Sequence, residues 1–170
     1  MNLSRFSPSV NINLRKIQTD DNPHLATIIR NALAEFSANK LGTVFYDDTT
    51  DYLYELFQEP GSIYYTAHHG EQVLGGAGIY PSEGLLQGTC ELVKMYLKPE
   101  ARNLGLGKKL IDTCLEFAKG FGYIQVYIET MPELRKAVSV YEKYGFQYLN
   151  GRLGNTGHFG CDVWMLKKIV

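Results

Sequence analysis

Apolar residues recur along this chain in two periods. Ile12, Leu14 and Ile17 give a short first strand with imperfect alternation, and Thr19–Pro23 then supplies helix-starting residues with an early proline. Leu25, Ile28, Ile29, Ala32, Leu33 and Phe36 follow at helical spacing, predicting a helix with one buried face that ends between Ser37 and Gly42. A shorter helix is expected from the Asp48–Asp51 cluster through Leu53, Leu56 and Phe57, stopped by Pro60-Gly61. Ile63–Ala67 and Gln72–Tyr80 read as a hairpin with His68-His69 at its exposed turn. Gly75, Gly76 and Gly78 mark a bulge or close backbone contact in its second strand.

A strand over Cys90–Lys98 comes next, ended by Pro99 and Glu100. Leu106, Leu110, Ile111, Cys114, Leu115 and Ala118 then share one side of a helix whose natural stop is Gly120. Ile124–Ile128 alternates as a strand. Thr130 with Glu133 has capping-box spacing, and Leu134, Ala137, Val138 and Tyr141 continue as a helix to Gly145. Phe146–Leu149 and Cys161–Leu166 are the last strands, around a glycine-rich loop from Gly151 to Gly160. The order β-α-α-β-β-β-α-β-α-β-β predicts a mixed α/β sheet with helices on both faces, in a single domain over residues 1–170 with a loose tail over 1–10.

Composition narrows the classes. A 45% hydrophobic, 21% charged chain of net charge −1 is globular, and lacks the basic excess of a general nucleic-acid binder. No apolar run reaches the ~20 residues of a membrane span. Three cysteines without paired spacing, and no signal-peptide core in the first ten residues, lead us to expect a soluble cytoplasmic protein with reduced thiols.

The most informative segment is R-N-L-G-L-G-K, comprising Arg102, Asn103, Leu104, Gly105, Leu106, Gly107 and Lys108, between a strand and a helix start. Glycines let the main chain approach an oxyanion, first-turn N–H groups lack acceptors, and an arginine fork suits a diphosphate. A P-loop would need glycine at Arg102 and Ser or Thr at Lys109. A dinucleotide fingerprint read from Gly105 would need glycine at Leu110. A plain turn with glycines serving geometry alone is the remaining alternative.

Arg-x-x-Gly-x-Gly after a strand and a proline resembles the acetyl-CoA loop of the GNAT superfamily of N-acetyltransferases. The later A-V-S-V-Y-E-K-Y-G-F, Ala137–Phe146, is similar to the second signature of that superfamily. The resemblance implies the GNAT fold, with a mixed, mostly antiparallel sheet of six to seven strands and four helices. It also implies acetyl-CoA as co-substrate and a primary amine as acceptor, without a metal. Family habit makes a homodimer an expectation that no particular residue supports. One departure is Leu134, where many relatives carry an asparagine.

Acetyl transfer needs a neutral amine, a donor for the carbonyl oxyanion and a proton for the leaving sulfur. An alkyl ammonium of pKa ~10 is only about one part in a thousand neutral at pH 7. By resemblance Glu91 is the general base, directly or through water, with a structural carboxylate paired to Lys94 as the alternative. Tyr141 takes the place of the family's general acid, although it also belongs to an apolar helix face. Backbone amides of Met95, Tyr96 and Leu97 are implied as carbonyl donors on a strand splayed from its neighbour. Asp47, Asp48, Asp51 and His158 are candidates to face the acceptor. The H-x-x-C spacing of His158 and Cys161, even with Cys90, lacks a fourth zinc ligand. A non-catalytic acyl-CoA-binding module on the same fold is the rival reading, and a nucleotide-binding protein a weaker one.

Overall fold

The structure is a computed structural model that describes residues 11–170; the tail expected over 1–10 lies outside the described residues. Seven strands form one sheet in the order β1-β2-β3-β4-β5-β7-β6. They are β1 (Ile12–Lys16), β2 (Ile63–His69), β3 (Gln72–Tyr80), β4 (Thr89–Leu97), β5 (Gln125–Thr130), β6 (Gln147–Tyr148) and β7 (Val163–Lys168). Among the described residues only the β4–β5 pair is parallel. Four α-helices accompany it among the described residues: α1 (Asn22–Glu35), α2 (Leu53–Leu56), α3 (Leu106–Phe121) and α4 (Arg135–Lys143). The element order is the one the apolar periodicity predicts.

Alternation along the strands sends side chains to two cores. On one face Ala77, Ile79, Cys90, Leu92 and Val126 pack with Leu110, Ile111 and Cys114 of α3 and Tyr141 of α4. On the other, Tyr64 and Val73 meet Leu25, Ile29 and Leu33 of α1 and Leu53 before Phe57. Helices therefore cover both faces.

Several local expectations are corrected. α3 runs through Gly120 to Phe121, which stacks on Phe117, and stops at Gly122, whose N–H reaches Ala118 and Lys119 carbonyls. Thr130 and Glu133 form no capping box. Pairing of β5 with β7 holds Thr130 in the strand, Glu133 pairs with Lys40, and α4 starts only after Leu134. The helix expected from Asp48 is split into a 3-10 turn over Asp48–Asp51 and the short α2. His68 is not at an exposed turn, because β2 continues to His69. It is buried, with its Nε2 2.7 Å from the Thr66 hydroxyl.

The β3–β4 ladder carries the irregularity that the glycines foreshadow. Its register shifts between Gly76 and Gly78, and opposite the shift Lys94 adopts φ 51°. A Cβ on Gly75 would lie 2.1 Å from the Tyr96 carbonyl oxygen, so only glycine permits this approach. The Tyr64 hydroxyl donates to the Lys94 carbonyl at 2.8 Å and fixes the bulge from the α1 face.

Candidate active site

β4 and β5 pair only at Thr89↔Gln125, Cys90↔Val126 and Glu91↔Tyr127, although both strands continue, to Leu97 and Thr130. Past the last pair they separate, and a cleft with about 580 Å³ of space, partly open to solvent, lies between them. Backbone groups on that side of β4 are thereby left out of the ladder. Met95 and Tyr96 line the cleft, with Leu97 ending the strand behind them.

Glu91 sits where the strands part and is 2% exposed. Burial pushes its carboxyl up to about 7; the Ser82 hydroxyl, which donates to Oε2, resists the rise and the charge of Glu129 adds to it. Lys94, the alternative partner, instead lies 3.3 Å from Asp47 Oδ2 and 3.4 Å from the Thr50 hydroxyl.

Glu129, on β5, accepts from the Tyr127 hydroxyl at 2.9 Å and from Thr156, and lies 3.4 Å from Arg152 Nε. His158 bridges the two sides of the cleft, with Nδ1 3.9 Å from Glu129 Oε2 and Nε2 3.4 Å from Asp47 Oδ2. Burial alone would raise Asp47. The hydrogen bond to His158, the Lys94 ammonium and Thr49 outweigh it and hold the carboxyl well below the usual carboxylate range. One ligand atom each from Glu91, Glu129 and His158 falls within 4.8 Å of the others, a spacing that suits a bound cation.

Tyr141 enters the same cleft from α4 and packs edge-on against Phe146 at 5.9 Å. Burial raises its phenol above the ordinary range, so it stays protonated at neutral pH. Leu134, where the resemblance gives an asparagine, adds an apolar wall.

The glycine loop follows β4 as a 3-10 turn over Pro99–Ala101 and then Arg102. Asn103 (φ 62°) and Gly105 (φ 77°) are both left-handed, and Gly105 caps α3. Backbone bonding into the helix resumes with Lys109 N–H to Gly105 O at 3.1 Å, so the amides of Leu106, Gly107 and Lys108 belong to the first turn. A Cβ on Gly105 or Gly107 would meet no atom within 4 Å, so the loop's outer face is open. The Leu106 side chain is buried, leaving its backbone to that face. The Arg102 fork is committed elsewhere: Nε donates to the Leu97 carbonyl at 3.1 Å and Nη1 meets Glu35 at 2.8 Å, with the guanidinium over Phe36. Lys108 pairs with Asp112 at 2.8 Å.

The structure thus brings Glu91, Tyr141, Met95 and Tyr96 to one cleft, with the Arg102–Lys108 loop just beyond the end of β4. Of the acidic candidates Asp47 reaches the site, whereas Asp51 pairs with Arg30 at 2.6 Å. Glu129, Tyr127, Thr156 and Arg152 were missed. Their only sequence signal is the two-residue spacing of Tyr127 and Glu129, which gains meaning once Tyr127 is opposite Glu91. Cys90 does not join His158; its side chain is in the α3-side core, and its neighbour Glu91 approaches instead.

The sequence matches the acetyltransferase (GNAT) family over residues 27–146. It is 39% identical to Uncharacterized N-acetyltransferase YjgM of Escherichia coli (strain K12) over 158 residues, covering 92% of this chain and 94% of that one. An acetyltransferase of the GNAT family from Staphylococcus aureus Mu50 superposes with a TM-score of 0.81 at 20% identity, covering 94% of this chain and 100% of that one. The PaiA N-acetyltransferase of Thermoplasma acidophilum, solved with coenzyme A, superposes with a TM-score of 0.72 at 19% identity over 93% of this chain and 99% of that one. With a parted parallel strand pair, a glycine-capped helix start and a family match over more than half its length, the chain belongs to the GNAT family of acetyltransferases and is an acyltransferase.

Proposed function

We propose that the chain moves the acetyl group of acetyl-CoA directly to a primary amine, with Glu91 as general base and Tyr141 as general acid. The observation that carries this reading is a buried carboxyl held near neutrality at the point where β4 and β5 part. Coenzyme A is present in the solved Thermoplasma acidophilum neighbour, and the loop here offers the chemistry a diphosphate needs. First-turn amides of Leu106, Gly107 and Lys108, backbone at Asn103, Leu104 and Gly105, and the positive end of a 16-residue helix would hold it. Arg102 contributes by bracing the loop to β4 and α1.

The amine arrives as an ammonium and is attracted by Glu91. Glu91 takes a proton, directly or through water, and the freed lone pair attacks the thioester carbonyl. Amides of Met95, Tyr96 and Leu97 stabilise the oxyanion that develops. On collapse the C–S bond breaks, Tyr141 gives its proton to the thiolate, and the nitrogen sheds its second proton to the tyrosinate, directly or through water, which restores the phenol. A cysteine acyl-enzyme is disfavoured: burial pushes the Cys90 and Cys161 thiols up to about 12 and raises Cys114 as well.

The test mixes the chain, acetyl-CoA and a panel of primary amines and follows free thiol. Amine-dependent thiol release with stoichiometric N-acetyl product supports the reading. Binding of acetyl-CoA without release from any amine would leave a non-catalytic acyl-CoA-binding module in its place.

A further inference from the structure

Two observations around the cleft bear on which amine it takes. The first is how its charges pair. Glu129 has Arg152 at 3.4 Å, and Asp47 has Lys94 at 3.3 Å and His158 at 3.4 Å. Glu133, next in sequence to the cleft-lining Leu134, pairs with Lys40. Of the two carboxylates lining the cleft, Glu91 is the one with no cation within 4 Å among the described residues; His158 and Lys94 act on it only from farther off. Such a cleft has one position for a positive charge. A second ammonium on the same acceptor would have to compete with Arg152 or Lys94 for a carboxylate already matched.

The second observation is the rim. The segments around Gly42 and Gly160 are joined by the Gly160 N–H to the Gly42 carbonyl at 2.8 Å, and the Phe159 ring lies against Gly42. These segments carry Thr43, Val44, His158 and Cys161 into the cleft wall. Between and beside those wall residues they hold Leu41, Tyr46 and Phe159 outward, at 70%, 55% and 69% exposure. Three large apolar groups on two joined loops that also build the cleft wall offer apolar surface next to the Glu91 carboxylate's cleft.

We infer that the acceptor is a primary amine carried on an apolar body, with one positive charge only. Its ammonium would enter toward Glu91, and its aliphatic or aromatic portion would rest on Leu41 and Phe159, with Tyr46 alongside. Polyamines, aminoglycosides and lysine-rich peptides do not match this pairing of charges. The inference rests on the acetyl-transfer reading and sharpens it to a substrate class.

The experiment compares kcat/KM for 2-phenylethylamine, ethylamine, spermidine, kanamycin and a lysine-containing peptide at saturating acetyl-CoA, read by free thiol. Burial of a phenyl group predicts a preference of about tenfold or more for 2-phenylethylamine over ethylamine. Leu41→Ala with Phe159→Ala, both at exposed positions, should bring that ratio down to about one to threefold. Higher kcat/KM for spermidine, kanamycin or the peptide, or an unchanged ratio in the double variant, overturns the inference and leaves acetyl transfer standing. Absence of thiol release with every amine overturns both.

Discussion

Asp21 and Glu91 are each 2% exposed, yet the protein treats them in opposite ways. Asp21 accepts from both arms of the Arg15 fork, at 2.7 and 3.0 Å, and from the Gln18 N–H at 2.8 Å. Burial would raise its carboxyl, but those donors outweigh burial and hold it below the usual range. Glu91 has the Ser82 hydroxyl on one oxygen and Glu129 nearby, and it is pushed up to about 7. Burial is common to both; the donors supplied to the charged form decide the outcome. Asp21 ties β1 to the start of α1, whereas the Glu91 carboxyl lacks the donors that would hold it ionised.

The largest expected effect is at Glu91. Glu91→Gln should lower kcat/KM by about 10²–10³-fold while acetyl-CoA binding, measured by calorimetry, is retained. Tyr141→Phe comes next, with kcat lower by about 10–10²-fold and little change in acetyl-CoA affinity. An undiminished burst of thiol in rapid-mixing experiments would remove Tyr141 from the chemical step.

Stability should separate the two carboxylates by sign. Asp21→Asn should cost about 2 kcal/mol in urea unfolding at pH 7, the half-exposed Arg15 limiting the loss, with kcat/KM nearly unchanged in the remaining folded protein. The Asp21 contribution is present above the unfolded carboxylate range and is lost as pH falls through its depressed folded value. Glu91 has a raised folded value, so its ionised form opposes folding fully above about pH 7, and this penalty disappears below the ordinary carboxyl value of 4.5. Glu91→Gln should therefore gain on the order of 1–3 kcal/mol at pH 8 and almost nothing at pH 4. A loss at pH 8 would mean that the carboxylate is structurally satisfied after all.

The smallest effect is a shift rather than a loss. Glu129 adds to the rise of Glu91, and its removal also frees Arg152 as a neighbouring positive charge. Glu129→Gln should move the alkaline-rising limb of kcat/KM to lower pH. Movement in the other direction would show that Glu129 supports the base in some way other than through its charge.

The order of the elements and part of the candidate site are legible in the residues, whereas the Arg15–Asp21 pair is not. The 3.6- and 2-residue periods predict the order of the strands and α-helices, because most of them bury at least one face against a neighbour; β6, with both residues exposed, is an exception. The loop at Arg102–Lys108 was legible because glycines before a helix start have a local meaning. Tyr141 and Glu91 came through motif resemblance and strand position. Glu129, Arg152 and Thr156 could not be read, since their significance depends on the parallel register Glu91↔Tyr127 and on loop 151–160 folding back over β5. Thr130 and Glu133 matched a capping box in spacing alone, and sheet pairing of Thr130 with Val163 overrode it. His68 likewise looked exposed beside Gly70 until strand pairing carried it inward against Thr66.

The most direct measurement is the pH dependence of kcat/KM for wild type and Glu91→Gln, using an amine whose protonated fraction is corrected for at each pH. The account predicts a wild-type profile that rises with unit slope and levels off near pH 7, and a variant profile without that limb. An identical limb in both proteins would contradict Glu91 as the proton acceptor.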